Sequence, residues 1–258
     1  MNRIIALVNQ KGGVGKTTST INLGAALARA GRRVLLIDVD PQSNLTTSLG
    51  IDMAERPSLY RVLRGDVPAG DALVRRDAYS VLPASIDLSG AEIEFSTAAG
   101  REFLLSEAIE PVRADFDYVL LDCAPSLGLL TLGALTLAGE VFIPLQSEYL
   151  ALQGMSKLLQ TVDVVRRRLN PRLEITGIIA TLYDQRKRLN REVIDNITAY
   201  FGDRLFQTRI RDNISLAEAP SYGMDIFEYR PDSYGAKDYE ALAAEVIGQE
   251  VTASENPA

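Results

Sequence analysis

The stretch Asn9-Gln10-Lys11-Gly12-Gly13-Val14-Gly15-Lys16-Thr17-Thr18 decides how the rest of the chain is read. It follows an apolar run at 4–8 and leads into a segment with helical spacing at 16–30. Glycines at 12, 13 and 15 open backbone angles closed to other residues, so successive N–H groups can turn inward as an anion nest at a positive helix end. Lys16 is placed to reach β- and γ-phosphates, the Thr17 hydroxyl to ligate Mg²⁺, and Thr18 to bond an α-phosphate. The usual phosphate-loop spacing puts glycine at position 10, where this chain has Gln10 followed by Lys11. A lysine at that point has no evident use toward a nucleotide held by its own loop.

Outward from the loop, short apolar runs alternate with amphipathic segments. The runs 4–8, 33–37, 79–82, 118–121, 140–144 and 174–180 are near-continuously apolar, the pattern of parallel strands buried on both faces. Helical spacing marks 16–30, 100–112, 127–138, 152–169, 190–201 and 234–250. Such βα alternation predicts an α/β fold, a doubly wound, mostly parallel sheet flanked by helices. Pro57, Gly65, Pro68 and Gly70 break the segment 55–77 into short surface helices and turns. The expectation is a single domain over 1–250 with a frayed polar tail at 251–258.

Two acidic stretches end apolar runs. Leu35-Leu36-Ile37-Asp38-Val39-Asp40-Pro41 delivers Asp38 and Asp40, and Tyr118-Val119-Leu120-Leu121-Asp122 delivers Asp122. Ligands of open α/β sheets bind beyond the carboxyl ends of the strands, so these three are expected organisers of Mg²⁺ and water beside the phosphate loop.

Composition narrows the chemistry further. The 258 residues include no histidine, so proton and charge work falls to carboxylates, lysine, arginine and backbone dipoles, which suits phosphoryl transfer. The lone Cys123 excludes an internal disulfide framework and a cysteine-rich metal site, and fits a reducing cytoplasm. No run approaches the ~20 apolar residues that span a bilayer, and the N-terminal run is too short for a signal peptide. A net charge of −7 argues in bulk against nucleic acid as a partner, though not against a local basic patch.

Lys11-Gly-Gly-Val-Gly-Lys-Thr-Thr18, Asp38-Val-Asp-Pro-Gln42 and Leu121-Asp-Cys-Ala-Pro125 resemble the deviant Walker motifs of the ParA/MinD (SIMIBI) P-loop ATPases. Ile143-Pro-Leu-Gln-Ser-Glu-Tyr149, Ser215-Leu-Ala-Glu-Ala-Pro-Ser-Tyr-Gly223 and Tyr234-Gly-Ala-Lys-Asp-Tyr239 resemble the ParA/Soj partition branch. The resemblance covers about residues 1–247. It implies that ATP and Mg²⁺ join two subunits in a sandwich dimer, with Lys11 of each reaching the phosphates held by the other. Asp40 matches the residue that orients or deprotonates the attacking water. Asp38 and Asp122 match carboxylates that hold Mg²⁺ through its waters, with Thr17 as direct ligand. Arg211 and Asn213 fall where the family contacts adenine.

The resemblance further implies ATP-dependent, sequence-independent DNA binding by the dimer, a ParB-like adaptor, and cytoplasmic location with nucleoid association in the ATP state. Candidate phosphate contacts are Arg186 and Arg188, flanking Lys187, with Arg191 and Arg209. Arg166-Arg-Arg168 ends an amphipathic helix and complements its dipole. No helix-turn-helix precedes the loop, so operator binding is not expected. MinD-like proteins end in a basic amphipathic helix, which the tail from Val246 lacks, so no membrane partner is expected. Iron proteins of the nitrogenase type need two cluster cysteines, and metabolic relatives such as dethiobiotin synthetase lack the trans lysine. Positioning of a protein cargo such as a chemoreceptor cluster or a carboxysome, rather than of DNA, is left open by the sequence.

Overall fold

The computed structural model describes residues 2–147 and 155–255, with side chains described through residue 250. Glu148 and Tyr149 of the partition-branch motif, and the start of the expected helix at 152, lie outside the described residues. In chain order the elements are β1 (Arg3–Leu7), α1 (Lys16–Arg29), β2 (Val34–Asp38), α2 (Asn44–Ser48), α3 (Leu59–Leu63), α4 (Ala69–Ala72), β3 (Val74–Arg75) and β4 (Ser80–Leu82). There follow α5 (Leu88–Glu94), α6 (Leu104–Arg113), β5 (Tyr118–Asp122), α7 (Leu129–Leu137), β6 (Glu140–Gln146) and α8 (Met155–Arg168). The last third holds β7 (Glu174–Tyr183), α9 (Arg188–Phe201), β8 (Leu205–Arg211), α10 (Ile214–Glu218), α11 (Ile226–Tyr229) and α12 (Tyr234–Glu255).

The strands form one sheet in the order β3-β4-β2-β5-β1-β6-β7-β8, parallel throughout except for β3 against β4. Continuous apolarity in the central strands has a direct cause. Ile4, Ala6 and Val8 face a core shared with Leu35, Ile37 and Leu121, while Ile5 and Leu7 face another with Leu36, Leu120 and Leu27. Strand alternation thus sends successive apolar side chains into two separate cores, one on each face of the sheet. The doubly wound architecture is the expected one. Outside the sheet's parallel core the short helices α3 and α4 occupy the Pro/Gly-punctuated segment, again as expected.

Besides the short helices α2, α5, α10 and α11, which the sequence reading did not mark, three features differ from expectation. The apolar runs do not predict β8. Its sequence Leu205-Phe-Gln-Thr-Arg-Ile-Arg211 mixes buried Leu205, Phe206 and Ile210 with polar residues, because an edge strand needs no continuous apolar run. Nor do they predict β3, a two-residue strand pairing Val74 with Val81 and Arg75 with Ser80. The final helix runs on to Glu255, past the expected boundary at 250. Residues 251–255 contain no glycine or proline to stop it, and the first breaker beyond is Pro257.

Register sets the stage for the site. Leu7 of β1 and Asp38 of β2 both pair with Asp122 of β5, so three adjacent strands end at one level. The chain leaves β1 toward β2 on one side and later returns to build β6 on the other. β1 is therefore the switch point, where an open α/β sheet presents its crevice.

Candidate nucleotide site

The loop after β1 turns on two left-handed glycines, Gly13 with φ 71° and Gly15 with φ 81°. Gly15 also occupies the N-cap position of α1, which carries no side-chain cap of its own. A Cβ added at Gly12 or Gly13 would meet nothing within 4 Å, so this side of the loop faces open space. The N-terminal amides of a fourteen-residue helix therefore border open space, the arrangement that favours an anion.

The loop is held from several sides. The Asn9 side-chain amide donates to the Pro144 carbonyl at 2.7 Å, while its Oδ1 accepts from the Lys11 amide at 3.0 Å. The Thr181 hydroxyl, at the end of β7, donates to the Val14 carbonyl at 2.9 Å. Neither role is visible in the sequence. The available signal for Thr181 is a polar residue closing the apolar run 177–180, at the carboxyl end of a strand.

The two lysines part company. Lys16 is 7% exposed and its ammonium donates to the Lys11 carbonyl at 3.3 Å. Burial lowers its pKa, and the charges of Asp122 and Asp40 oppose that shift. Lys11 is exposed on the loop, its ammonium donating to Gln146 Oε1 at 3.2 Å.

The carboxylates gather on the strand ends. The Thr17 hydroxyl donates to Asp122 Oδ2 at 2.7 Å, and Thr20 Oγ1 lies 3.4 Å from Oδ1. Asp38 accepts from the Thr46 amide at 2.9 Å, from the Thr46 hydroxyl at 2.7 Å, and from the Asp40 amide at 3.2 Å. Asp38 therefore organises the turn after β2, which places Asp40, whose Oδ1 accepts from the Gln42 amide at 2.9 Å. Burial pushes the pKa of both Asp38 and Asp122 upward, and for Asp122 the charge of Asp38 adds to it.

Hard oxygen groups buried close together, with one lysine to offset them, fit a divalent cation better than they fit an empty core. Among the described residues no three His, Cys, Asp or Glu side chains form a ready-made cage. That suits Mg²⁺, which keeps several waters and relies on substrate phosphates. Thr17 is the direct-ligand candidate, and Asp122, bonded to it, and Asp38 are the candidates for acting at one remove. Thr18 lies in the first turn of α1.

The adenine candidates are occupied by protein partners. Arg211 donates to Asp238 from its backbone amide at 3.0 Å and from its guanidinium, and lies 4.2 Å from the Tyr234 ring centroid. Asn213 caps α10, its side-chain oxygen accepting from the Ser215 amide at 3.0 Å. The basic candidates are spread more widely. Arg186 and Arg188 are exposed at the start of α9, paired with Asp184 at 2.9 Å and Glu192 at 2.7 Å. Arg191 is exposed on the same helix, whereas Arg209 is half-buried on the edge strand β8.

A glycine nest at a helix N-terminus, a buried lysine and strand-end carboxylates define a P-loop nucleotide site, with a second lysine standing outside the pocket. Comparison with known proteins agrees with that class. The AAA domain family matches residues 2–175. The chromosome partitioning protein ParA of Caulobacter vibrioides is 48% identical over 253 residues, 96% of this chain and 95% of that protein. The sporulation initiation inhibitor protein Soj of Bacillus subtilis is 47% identical over 249 residues, 95% of this chain and 98% of that protein. A crystal structure of a cobyrinic acid a,c-diamide synthase from Mycobacterium smegmatis, with bound ADP and magnesium, superposes with a TM-score of 0.85 at 41% identity, covering 97% of this chain and 96% of that one. The chain belongs to the ParA/MinD family of P-loop ATPases, in its ParA/Soj branch. Among the described residues no helix is long and apolar enough to cross a membrane.

Proposed function

We propose that this protein binds ATP with Mg²⁺, dimerises around it, holds DNA without sequence preference as that dimer, and drives partition of a chromosome or plasmid with a ParB-like adaptor. The observation that carries it is the contrast between the lysines: Lys16 is enclosed beside the carboxylates, while Lys11 stands exposed on the outer side of the same loop. An exposed cation at the lip of a phosphate nest can serve a phosphate held by a facing subunit. The matches to partition proteins over nearly the whole chain support the cellular role.

In this scheme the loop amides and Lys16 bind the phosphates, and Thr17 with Asp122 positions the cation. Mg²⁺, when bound, neutralises charge developing on the transferred phosphoryl group. Asp40 orients the attacking water, and Lys11 from the partner subunit completes the charge balance. Hydrolysis then waits on dimer formation, which makes the protein a timer with nucleoid-bound and free states. Dimerisation also doubles the basic surface, and non-specific affinity rises steeply with each phosphate neutralised.

The test is gel filtration and DNA binding with no nucleotide, ADP or ATP, across a salt series. Expected are a doubled mass and DNA retention with ATP alone, the retention falling steeply with salt, and both locked in by Asp40→Ala. A monomer in ATP, or binding indifferent to nucleotide, overturns the proposal.

A further inference from the structure

The β-phosphate nest depends on the direction of a few N–H vectors, and a strand remote in sequence holds the peptide that carries one of them. We propose that Thr181 is a positioning residue for the nucleotide site, holding the peptide between Val14 and Gly15 in the orientation that aims its N–H at a bound phosphate. The inference rests on the nucleotide-binding reading above.

The geometry is specific. Thr181 closes the buried stretch of β7 and is 2% exposed, so its hydroxyl has little access to water. It donates to the Val14 carbonyl at 2.9 Å. In a planar trans peptide the C=O and the following N–H point in opposite directions. Fixing the Val14 carbonyl toward β7 therefore turns the Gly15 N–H away from β7. The peptide needs this restraint because it is flanked by two residues with wide backbone freedom. Val14 lies between Gly13 and Gly15, both left-handed, and glycine is the residue with the most backbone freedom to lose. The Gly15 carbonyl is separately committed, accepting from the Ser19 amide at 2.9 Å in the first turn of α1.

Thr181 makes a second contact with the same glycine. A Cβ at Gly15 would sit 3.7 Å from Thr181 Cγ2 and 3.9 Å from its Cβ, so the threonine methyl forms the wall behind the loop. Threonine thus supplies both a hydroxyl to orient the peptide and a methyl to back it. Valine is nearly isosteric but has no hydroxyl, whereas serine keeps the hydroxyl and loses the methyl. These two substitutions separate the functions.

The experiment measures MgADP affinity by calorimetry for the full chain, the Thr181→Val and Thr181→Ser variants, and Thr136→Val. The last loses a hydroxyl that donates to Leu132 within α7, away from the loop, and controls for general loss of stability. Thr181→Val is expected to bind MgADP about tenfold more weakly, the ~1.4 kcal/mol equivalent of one buried hydrogen bond. Thr181→Ser recovers most of that affinity, and Thr136→Val keeps it whatever its melting temperature. Equal affinity in Thr181→Val and the unaltered chain overturns the inference, as does a loss in Thr181→Ser as large as in Thr181→Val. Failure of the unaltered chain to bind MgADP instead overturns the nucleotide reading itself.

Discussion

Two basic regions of this molecule carry their charges in opposite ways. In the phosphate loop Lys16 is 7% exposed, and the charges acting on it come from Asp122 and Asp40, themselves buried. In the segment 184–192, Arg186 and Arg188 have side chains 85% and 86% exposed, each beside a carboxylate of its own segment. Burying charge is costly unless a partner is supplied in fixed geometry, so the loop is committed to one kind of ligand in one pose. The arginines keep their hydration, are screened within about 8–10 Å at ordinary salt, and can answer to any polyanion. In the proposed function the loop decides whether a nucleotide binds, and the arginine segment decides how firmly a polyanion is held at a given ionic strength.

The largest effect should come from the buried side. Lys16→Ala is expected to weaken MgADP binding by about a hundredfold or more, since removing one member of a desolvated charge group costs ~2–5 kcal/mol. Calorimetry checks it, and affinity near that of the unaltered chain would break the contrast at its root. Lys11→Ala is the companion on the exposed side. Nucleotide affinity should stay within about threefold, while ATP turnover falls by about 10³ or more, the range of a charge supplied in trans.

A smaller effect belongs to the arginine segment. Changing Arg186 and Arg188 together to Glu should leave ATP-driven dimerisation intact and remove DNA retention at moderate salt. The slope of log affinity against log salt should flatten by about 0.9 for each DNA phosphate that is no longer neutralised. A slope unchanged from that of the unaltered chain would move the DNA surface elsewhere on the molecule.

What the sequence makes legible follows the same division. The central strands can be read because burial on both faces leaves a continuous apolar signature, and the phosphate loop because glycine spacing and Lys16 are local. Edge strand β8 mixes buried apolar with polar residues in no regular order and leaves no such signature. Thr181 touches the loop from a strand far along the chain, and the bond from Arg211 to Asp238 spans 27 positions, so only the fold brings either pair together. The pairing of Arg188 with Glu192 has the i,i+4 spacing of a helix and is open to reading. That of Arg186 with Asp184 depends on the turn before α9 and is not.

That last pair allows the finest test of the comparison. Asp184 holds Arg186 through two guanidinium bonds, both at 2.9 Å, and also accepts from the Arg186 amide at 3.0 Å. The arginine draws the Asp184 pKa down to about 2, so the pair is intact at neutral pH and is lost only as the pH falls through that value. Asp184→Asn keeps an oxygen for the backbone bond, so the turn before α9 should persist. It removes a negative charge from the segment proposed to face DNA and releases the guanidinium to another acceptor. The melting temperature should hardly move, because exposed ion pairs contribute little to stability. DNA affinity with ATP should rise by about two- to fivefold, a gain that shrinks as salt is raised. If affinity is unchanged at low salt, Asp184 does not restrain Arg186 from DNA, and the exposed arginines differ from the buried lysine in burial alone.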